Sequence, residues 1–215
     1  MRRPRHRAAR VRLLVLDVDG VLTDGGLYYG PAGEEIKRFD VHDGLALAAA
    51  RQAGLAIALI SGRRSAAVSR RAAELGIGEV HQGVRDKAAV LDGLLTRLGL
   101  VAAELAVMGD DLPDLPLMRR AGLALAPRNA VADVRRAADW VSRRAGGGGA
   151  VRDAVEMLLG ARRAWPPAEH AAGGSPPPRD LPAGGDASAR RVRQKASRGG
   201  SSRRAAAPPA RDRAP

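Results

Sequence analysis

The apolar residues of this chain fall into short uninterrupted runs that alternate with longer segments of helical periodicity. The first run, 13–16, is Leu-Leu-Val-Leu, which is typical of a strand buried on both faces of a parallel sheet. Similar runs predict further strands at 55–60, 80–81, 105–108, 123–126 and 140–141. The intervening segments predict helices at 45–52, 65–75, 86–98, 115–121, 131–138 and 151–159. This alternation predicts an α/β fold with a doubly wound parallel sheet.

One segment, 25–41, interrupts the alternation between the first strand and the first helix. A Gly-Pro-Ala-Gly turn at 30–33 separates two short apolar stretches, which predicts a β-hairpin. Because the hairpin follows the first strand, we expect it to project from the edge of the sheet at which that strand ends. Its aromatic residues, Tyr28, Tyr29 and Phe39, favour a contact with another subunit.

The net charge of +13 is concentrated at the two ends of the chain. Residues 1–12 contain six arginines and no acid, and 161–215 contain 12 basic and 4 acidic residues, whereas the middle is nearly neutral. We therefore expect a basic N-terminal arm at 1–10, a folded domain at 11–165, and a disordered Arg/Pro/Ala/Gly-rich tail at 166–215. Aromatic residues are only 2% of the chain, so nucleic-acid binding by the folded domain is not expected.

Composition also excludes several classes of protein. The chain has no cysteine, which rules out disulfides, thiol catalysis and Cys-ligated metal sites and suits a reducing compartment. No apolar run approaches the roughly 18–20 residues that a membrane span needs. The N-terminal arginines lead into a short apolar run without a small-residue cleavage site. A soluble, cytoplasmic protein without a membrane partner is expected.

Polar residues follow several of the predicted strands. They are Asp17 and Asp19, Ser61 and Gly62, Lys87 at the start of a helix, and Asp110, Asp111 and Asp114. Because the carboxyl ends of parallel strands share one edge of a sheet, we expect these groups to converge. Oxygen-only ligands suit Mg²⁺, and hydroxyl, ammonium and backbone amide groups bind phosphate. A metal-bound aspartate can attack phosphorus, and an acid two residues later can transfer the proton.

In their order, D-x-D-G-V, S-G-R, Lys87 and G-D-D-x-x-D resemble the four motifs of the haloacid dehalogenase superfamily of phosphohydrolases. The longer strings DVDGVLTDG, FDVHDG, ISGRRS, GDDLPDLPLM and GGGGAVRD are similar to the 3-deoxy-D-manno-octulosonate 8-phosphate phosphatase family over 11–165. The resemblance implies a Rossmann-like (Rossmannoid) fold without a separate cap domain and a homotetramer assembled through the 25–41 hairpin. It also implies Mg²⁺-dependent hydrolysis of an eight-carbon sugar-acid phosphate in lipopolysaccharide precursor synthesis, through an aspartyl-phosphate.

The resemblance also implies a role for each site residue. Asp17 is expected to be the nucleophile and a Mg²⁺ ligand, Asp19 the general acid/base and a ligand through its backbone carbonyl, and Asp110 the remaining ligand. Ser61, Gly62 and Lys87 are expected to hold the phosphoryl group, and Arg63 the anionic end of the substrate. Asp111 and Asp114 are expected to hold metal-bound waters or Lys87. The resemblance also predicts a second small glycine after Asp43-Gly44. This chain has Leu45-Ala46 there instead, which should alter the pocket wall slightly.

Three alternatives remain open at this point. The same chemistry could act on another sugar-acid phosphate, such as an acylneuraminate 9-phosphate, because pocket walls set specificity. A receiver-like regulatory domain would be phosphorylated at Asp17 without turnover, but receivers lack an acid at the position of Asp19. Finally, the basic tails could bind nucleic acid.

Overall fold

The computed structural model describes residues 4–167, and the core of the fold is a six-stranded sheet. Its strands are β1 (Leu13–Leu16), β4 (Ala56–Ser61), β5 (Glu79–Gln82), β6 (Leu105–Met108), β7 (Leu123–Ala126) and β8 (Trp140–Val141). Their order is β5-β4-β1-β6-β7-β8, and every neighbouring pair is parallel. The predicted parallel α/β sheet is confirmed. Since β1 lies between β4 and β6, the strand order reverses beside it, and such switch points are where open parallel sheets bind ligands.

Helices cover both faces of this sheet. They are α1 (Pro4–Ala8), α2 (Val41–Gln52), α3 (Ala66–Glu74), α4 (Lys87–Leu98), α5 (Leu115–Arg120), α6 (Ala132–Ala137) and α7 (Ala150–Ala161). Leu14 and Leu16 of β1 join the core that includes α2, α3 and α7, whereas Leu13 and Val15 join the core that includes α4, α5 and α6. All four side chains are fully buried, as a strand covered on both faces requires.

The predicted hairpin forms a small separate sheet after β1. Its antiparallel strands are β2 (Tyr28–Tyr29) and β3 (Glu35–Ile36), with Tyr28 paired to Ile36 and Tyr29 to Glu35. Tyr28, Tyr29 and Ile36 are exposed. The hairpin therefore presents apolar side chains outward, while its base joins β1 to α2.

The segment after the hairpin differs from the prediction. Helix α2 begins at Val41, four residues earlier than expected, because the Asp40 side chain accepts a hydrogen bond from the backbone N–H of His42 (2.7 Å) and caps the helix. Phe39 packs against the core of its own domain instead of extending the exposed face of the hairpin. The subunit contact expected of Phe39 therefore has no support in the structure.

The predicted basic arm also contains order that sequence analysis did not anticipate. Residues 4–8 form helix α1, Ala8 and the following Val11 are fully buried, and Arg7 Nη1 lies 3.0 Å from Asp139 Oδ2. The predicted tail lies outside the described residues from 168 onward. Within 4–167, no helix combines the length and the hydropathy needed to cross a membrane.

Candidate active site

The residues at the carboxyl end of β1 line a cleft of about 360 Å³. The lining is formed by Asp17, Asp19, Gly25, Ser61, Gly62, Arg63, Lys87, Asp110, Asp111, Pro113 and Asp114. Every site residue expected from the sequence is therefore at one edge of the sheet. The backbone N–H of Asp17 donates to the carbonyl of Met108 (3.0 Å), so the pairing of β1 with β6 continues to the first carboxylate and holds it in register.

A buried lysine joins three parts of the chain at the floor of the cleft. Lys87 Nζ lies 2.6 Å from Asp17 Oδ1 and 2.7 Å from Asp114 Oδ1. Lys87 is the first residue of α4, a helix whose N-cap residue, Asp86, accepts from the backbone N–H of Ala89 (3.0 Å). Burial lowers the pKa of the Lys87 ammonium, but the charges of Asp17 and Asp114 outweigh burial and raise it above its usual value. The lysine is therefore a fixed positive charge beside Asp17.

Asp114 has both carboxylate oxygens engaged within the protein. Oδ1 binds Lys87, and Oδ2 accepts from the backbone N–H groups of Asp110 (3.0 Å) and Asp111 (3.4 Å). The Asp111 side chain accepts from the backbone N–H of Leu112 (2.7 Å) and caps the short turn that follows. Of the two acids expected to hold Lys87 or metal-bound waters, Asp114 is the one that binds Lys87.

Three carboxylates lie close enough together to hold a metal ion. Oxygen atoms of Asp17, Asp110 and Asp114 lie within 4.8 Å of one another. Both oxygens of Asp114 are hydrogen-bonded within the protein, whereas Lys87 binds only Oδ1 of Asp17, so Asp17 and Asp110 have oxygens left for a cation. The donor set is entirely oxygen, which is what Mg²⁺ prefers.

The electrostatics of the cluster agree with a cation site. Burial, reinforced by the negative charge of Asp114, raises the pKa of Asp17 to about 6. Burial together with the charge of Asp17 raises the pKa of Asp110 to about 7. Carboxylates that repel one another in a partly buried cleft are stabilised in their ionised form by a bound cation. The residues present therefore fit a divalent metal ion.

Asp19 faces a second, ionic cluster that the sequence analysis missed. Its Oδ1 is hydrogen-bonded to the ammonium of Lys37, which also lies 3.1 Å from Glu35 Oε1. Arg63 Nη2 lies 3.0 Å from the same Glu35 oxygen, and Arg63 Nε lies 3.9 Å from Asp19 Oδ2. Burial lowers the pKa of Lys37, but its hydrogen bonds to Asp19 and Glu35 raise it overall. The sequence does contain a clue to this cluster. Side chains alternate along a strand, so Glu35 and Lys37 lie on the same side of the chain, with Ile36 on the other.

Ser61, Gly62 and Arg63 lie where the sequence placed them, at the end of β4. The Ser61 side chain is buried at the last position of the strand, and its Oγ accepts from the backbone N–H of Arg63 (3.2 Å). The Arg63 side chain is about half exposed (46%) and reaches over the cleft. Leu45, expected to alter the pocket wall, lies on the exposed side of α2 and does not line the cleft.

A glycine-rich loop supports the turn that carries the two aspartates. A Cβ atom built on Gly146 would lie 1.8 Å from the carbonyl oxygen of Gly20, and the N–H of Gly147 donates to Val21 (3.0 Å). The loop leads into α7. The buried Asp43, which belongs to α2, caps that helix because its carboxylate accepts from the backbone N–H groups of Gly149 and Arg152. The GGGGAVRD string therefore packs against the turn that carries Asp17 and Asp19.

Comparisons with known proteins identify the relatives of this chain. A family model of haloacid dehalogenase-like hydrolases matches residues 77–153. The 3-deoxy-D-manno-octulosonate 8-phosphate phosphatase KdsC of Escherichia coli K12 is 42% identical over 153 residues, covering 71% of this chain and 81% of that protein.

Solved structures give the same result. The phosphatase of that name from Moraxella catarrhalis, in complex with magnesium, phosphate and KDO, has a TM-score of 0.73 and 42% identity over 75% of this chain and 92% of its own. The cobalt-bound Haemophilus influenzae enzyme has a TM-score of 0.71 and is 38% identical. The match covers 73% of this chain and 92% of that one.

The parallel sheet, its switch point beside β1 and the carboxylate–lysine cluster define a haloacid dehalogenase-like hydrolase. Within that class, the Escherichia coli relative is 42% identical and is covered over 81% of its own length. The chain belongs to the 3-deoxy-D-manno-octulosonate 8-phosphate phosphatase family.

Proposed function

We propose that this protein is a Mg²⁺-dependent phosphatase that hydrolyses 3-deoxy-D-manno-octulosonate 8-phosphate to the free sugar acid and inorganic phosphate. The observation that carries the proposal is the bridge from Asp17 through Lys87 to Asp114, with Asp110 beside it, in a chain 42% identical to enzymes of that name. The proposed catalytic unit is 11–165, which contains every one of these residues.

In this proposal Asp17 is the nucleophile. Its carboxylate attacks phosphorus and forms an aspartyl-phosphate, while the oxygen of the sugar leaves as an alcohol. Lys87 holds Asp17 in position and offsets negative charge on the phosphoryl oxygens. Ser61 and the N–H of Gly62 lie at the same edge of the cleft and are suited to bind those oxygens.

Asp19 supplies the proton in the same scheme. Its carboxylic acid protonates the leaving oxygen, and the resulting carboxylate then removes a proton from the water that hydrolyses the aspartyl-phosphate. Asp17 and Asp110, with the backbone carbonyl of Asp19, would hold Mg²⁺, which neutralises charge on the transferring phosphoryl group. Asp114 keeps Lys87 and the Asp110 loop in place.

Substrate selection and assembly belong to the same proposal. Arg63, which lines the cleft and is paired with Glu35 (3.0 Å), is the proposed partner for the carboxylate of a sugar acid. Exposed apolar residues of the hairpin and the start of α2 are suited to assemble the proposed homotetramer, and they are Leu27, Tyr28, Tyr29, Ile36, Val41 and Leu45. Cysteine is absent from the chain, which fits the proposed cytoplasmic location.

The deciding measurement is phosphate release from 3-deoxy-D-manno-octulosonate 8-phosphate, with Mg²⁺ and with a chelator, by the wild type and Asp17→Asn. Mg²⁺-dependent turnover that the variant lacks supports both the chemistry and the substrate. Turnover only of another sugar-acid phosphate, such as an acylneuraminate 9-phosphate, would keep the chemistry and replace the substrate. A folded, metal-bound protein without activity on any phosphate ester would refute the proposal.

A further inference from the structure

The position of Lys37 is unusual for a residue of an exposed hairpin. Its side chain is 1% exposed, whereas the neighbouring Ile36 is half exposed and Arg38 is exposed. A buried ammonium is costly unless anions surround it, and here Asp19 and Glu35 do so. The hairpin therefore delivers one buried positive charge to the carboxylate proposed to transfer protons.

The type of residue is informative because this chain rarely uses lysine. Of its 36 basic residues only three are lysines, and the two within 4–167 are Lys37 and Lys87. Lys87 binds Asp17, and Lys37 binds Asp19, so each acid of the D-x-D pair has its own buried lysine. An ammonium is a compact point charge, whereas a guanidinium spreads its charge over a planar fork. Lysine at these two positions fits a requirement for a small cation beside each carboxylate.

The hydrogen bond between Lys37 and Asp19 involves only one of the two carboxylate oxygens of Asp19. Lys37 binds Oδ1, whereas Arg63 Nε lies 3.9 Å from Oδ2, which is beyond hydrogen-bond distance. Glu35 binds the same ammonium at 3.1 Å and gives it a second anionic partner. The arrangement fixes the orientation of the carboxylate without occupying the oxygen that would exchange a proton.

We infer that Lys37 is a positioning residue that holds the Asp19 carboxyl group in the orientation from which its acid form protonates the leaving oxygen. The inference rests on the proposed phosphatase function and adds a hairpin residue to its catalytic apparatus. A purely structural alternative is that the ion pair merely ties the hairpin to the domain. The two readings differ in how the effect of losing Lys37 depends on the leaving group.

The test compares Lys37→Met with wild type on two substrates, the sugar-acid phosphate and p-nitrophenyl phosphate. The value of kcat/KM reports the first half-reaction for both, and only the alkyl leaving group depends strongly on a proton. We expect kcat/KM to fall about 100-fold for the sugar-acid phosphate and less than about fivefold for the aryl ester, since general acid catalysis contributes about 10²–10⁴-fold. Equal losses on both substrates, or no loss on either, would overturn the inference.

Matched variants separate this effect from misfolding. Arg38→Met removes a neighbouring cation that donates to the Gly147 carbonyl instead of to Asp19, and it should leave the ratio between the two substrates unchanged. The double variant Lys37→Met/Asp19→Asn should be no slower on the sugar-acid phosphate than Asp19→Asn alone, because residues that act as one unit are not additive. Additive losses in this cycle would contradict the inference.

A chemical rescue is possible because the chain has no cysteine of its own. Lys37→Cys treated with bromoethylamine gains an aminoethyl thioether that restores the ammonium at nearly the original reach. We expect at least a tenfold recovery of kcat/KM on the sugar-acid phosphate once mass spectrometry shows complete modification. Complete modification without recovery would overturn the inference. An inactive wild type on every phosphate ester would instead refute the proposed function itself.

Discussion

A Cβ atom built on Gly20 would lie 2.1 Å from Oδ2 of Asp110. Gly20 follows the two aspartates after β1 and has a φ of +93°, whereas Asp110 follows β6. The turn after β1 can therefore approach the Asp110 carboxylate, which follows the neighbouring strand β6, only because Gly20 has no side chain. This contact brings Asp110 beside Asp17.

Gly20→Ala should lower phosphatase activity at least about 100-fold, since a displacement near 1 Å at a reacting centre has that effect. Gly33→Ala is the matched control, because Gly33 also has a positive φ (+81°) but a Cβ there would meet nothing within 4 Å. Both variants should lose about 1–2 kcal/mol of stability from the left-handed backbone. Activity assays and thermal denaturation check the pair, and similar activities of the two variants would contradict the argument.

Lys87→Met should abolish activity and lower the free energy of unfolding. Loss of the ammonium leaves Asp17 and Asp114 buried and facing each other, and breaking a buried ion pair costs about 3–5 kcal/mol. Arg97→Met, also on α4, breaks an exposed pair with Glu79 (2.6 Å) and should cost at most about 1 kcal/mol. Urea denaturation measures the difference, and equal stability losses for the two variants would show that the Lys87 bridge is not buried in solution.

The raised pKa values of Asp17 (about 6) and Asp110 (about 7) predict opposite effects of pH on the metal-free and metal-bound protein. Without metal, the folded state binds these protons more tightly than the unfolded state does. This stabilising contribution is complete below about pH 4 and is lost as pH rises through 6 to 7. Mg²⁺ requires the ionised carboxylates, so the increase in Tm that it produces should grow over the same interval.

Thermal denaturation at pH 5 and pH 8, with Mg²⁺ and with a chelator, tests this prediction. Asp43 also has a pKa raised to about 6 by burial, so its contribution to the pH dependence has the same sign. Comparison with Asp110→Asn isolates the cluster, because that variant should show a flatter pH dependence of Tm without metal. An equal Mg²⁺-induced increase at both pH values would count against the assigned site.

Tyr29→Asp should disrupt the proposed tetramer. Tyr29 is 63% exposed on β2 and would bury its ring in the assembly, where a carboxylate would be desolvated. Val101→Asp is a control of similar exposure (60%) in the turn before β6, outside the hairpin. Light scattering after size exclusion should show a smaller mass for Tyr29→Asp only. A monomeric wild type would remove the hairpin interface from the proposal.

Much of the fold and the convergence of the site were accessible from sequence. An uninterrupted apolar strand is stable only when both of its faces are covered, so the run at 13–16 already implied a parallel sheet with helices on each side. Strands in such a sheet end at one edge, which placed Asp17, Ser61 and Asp110 together without any knowledge of distances. The motifs added the chemistry, because acids, a hydroxyl and a lysine can together hold Mg²⁺, bind phosphate and supply a nucleophile.

Other features depended on contacts between residues far apart in the chain. Which oxygens of Asp114 were occupied, and therefore which acids remained for a metal, followed from how α4 and the loop after β6 pack together. Lys37 is 18 residues from Asp19, and only the folding back of the hairpin pairs them. Local pattern determines which elements form and which face is buried. The hydrogen-bond partners of individual charged groups are decided by tertiary packing, because they depend on atomic positions that no short-range periodicity encodes.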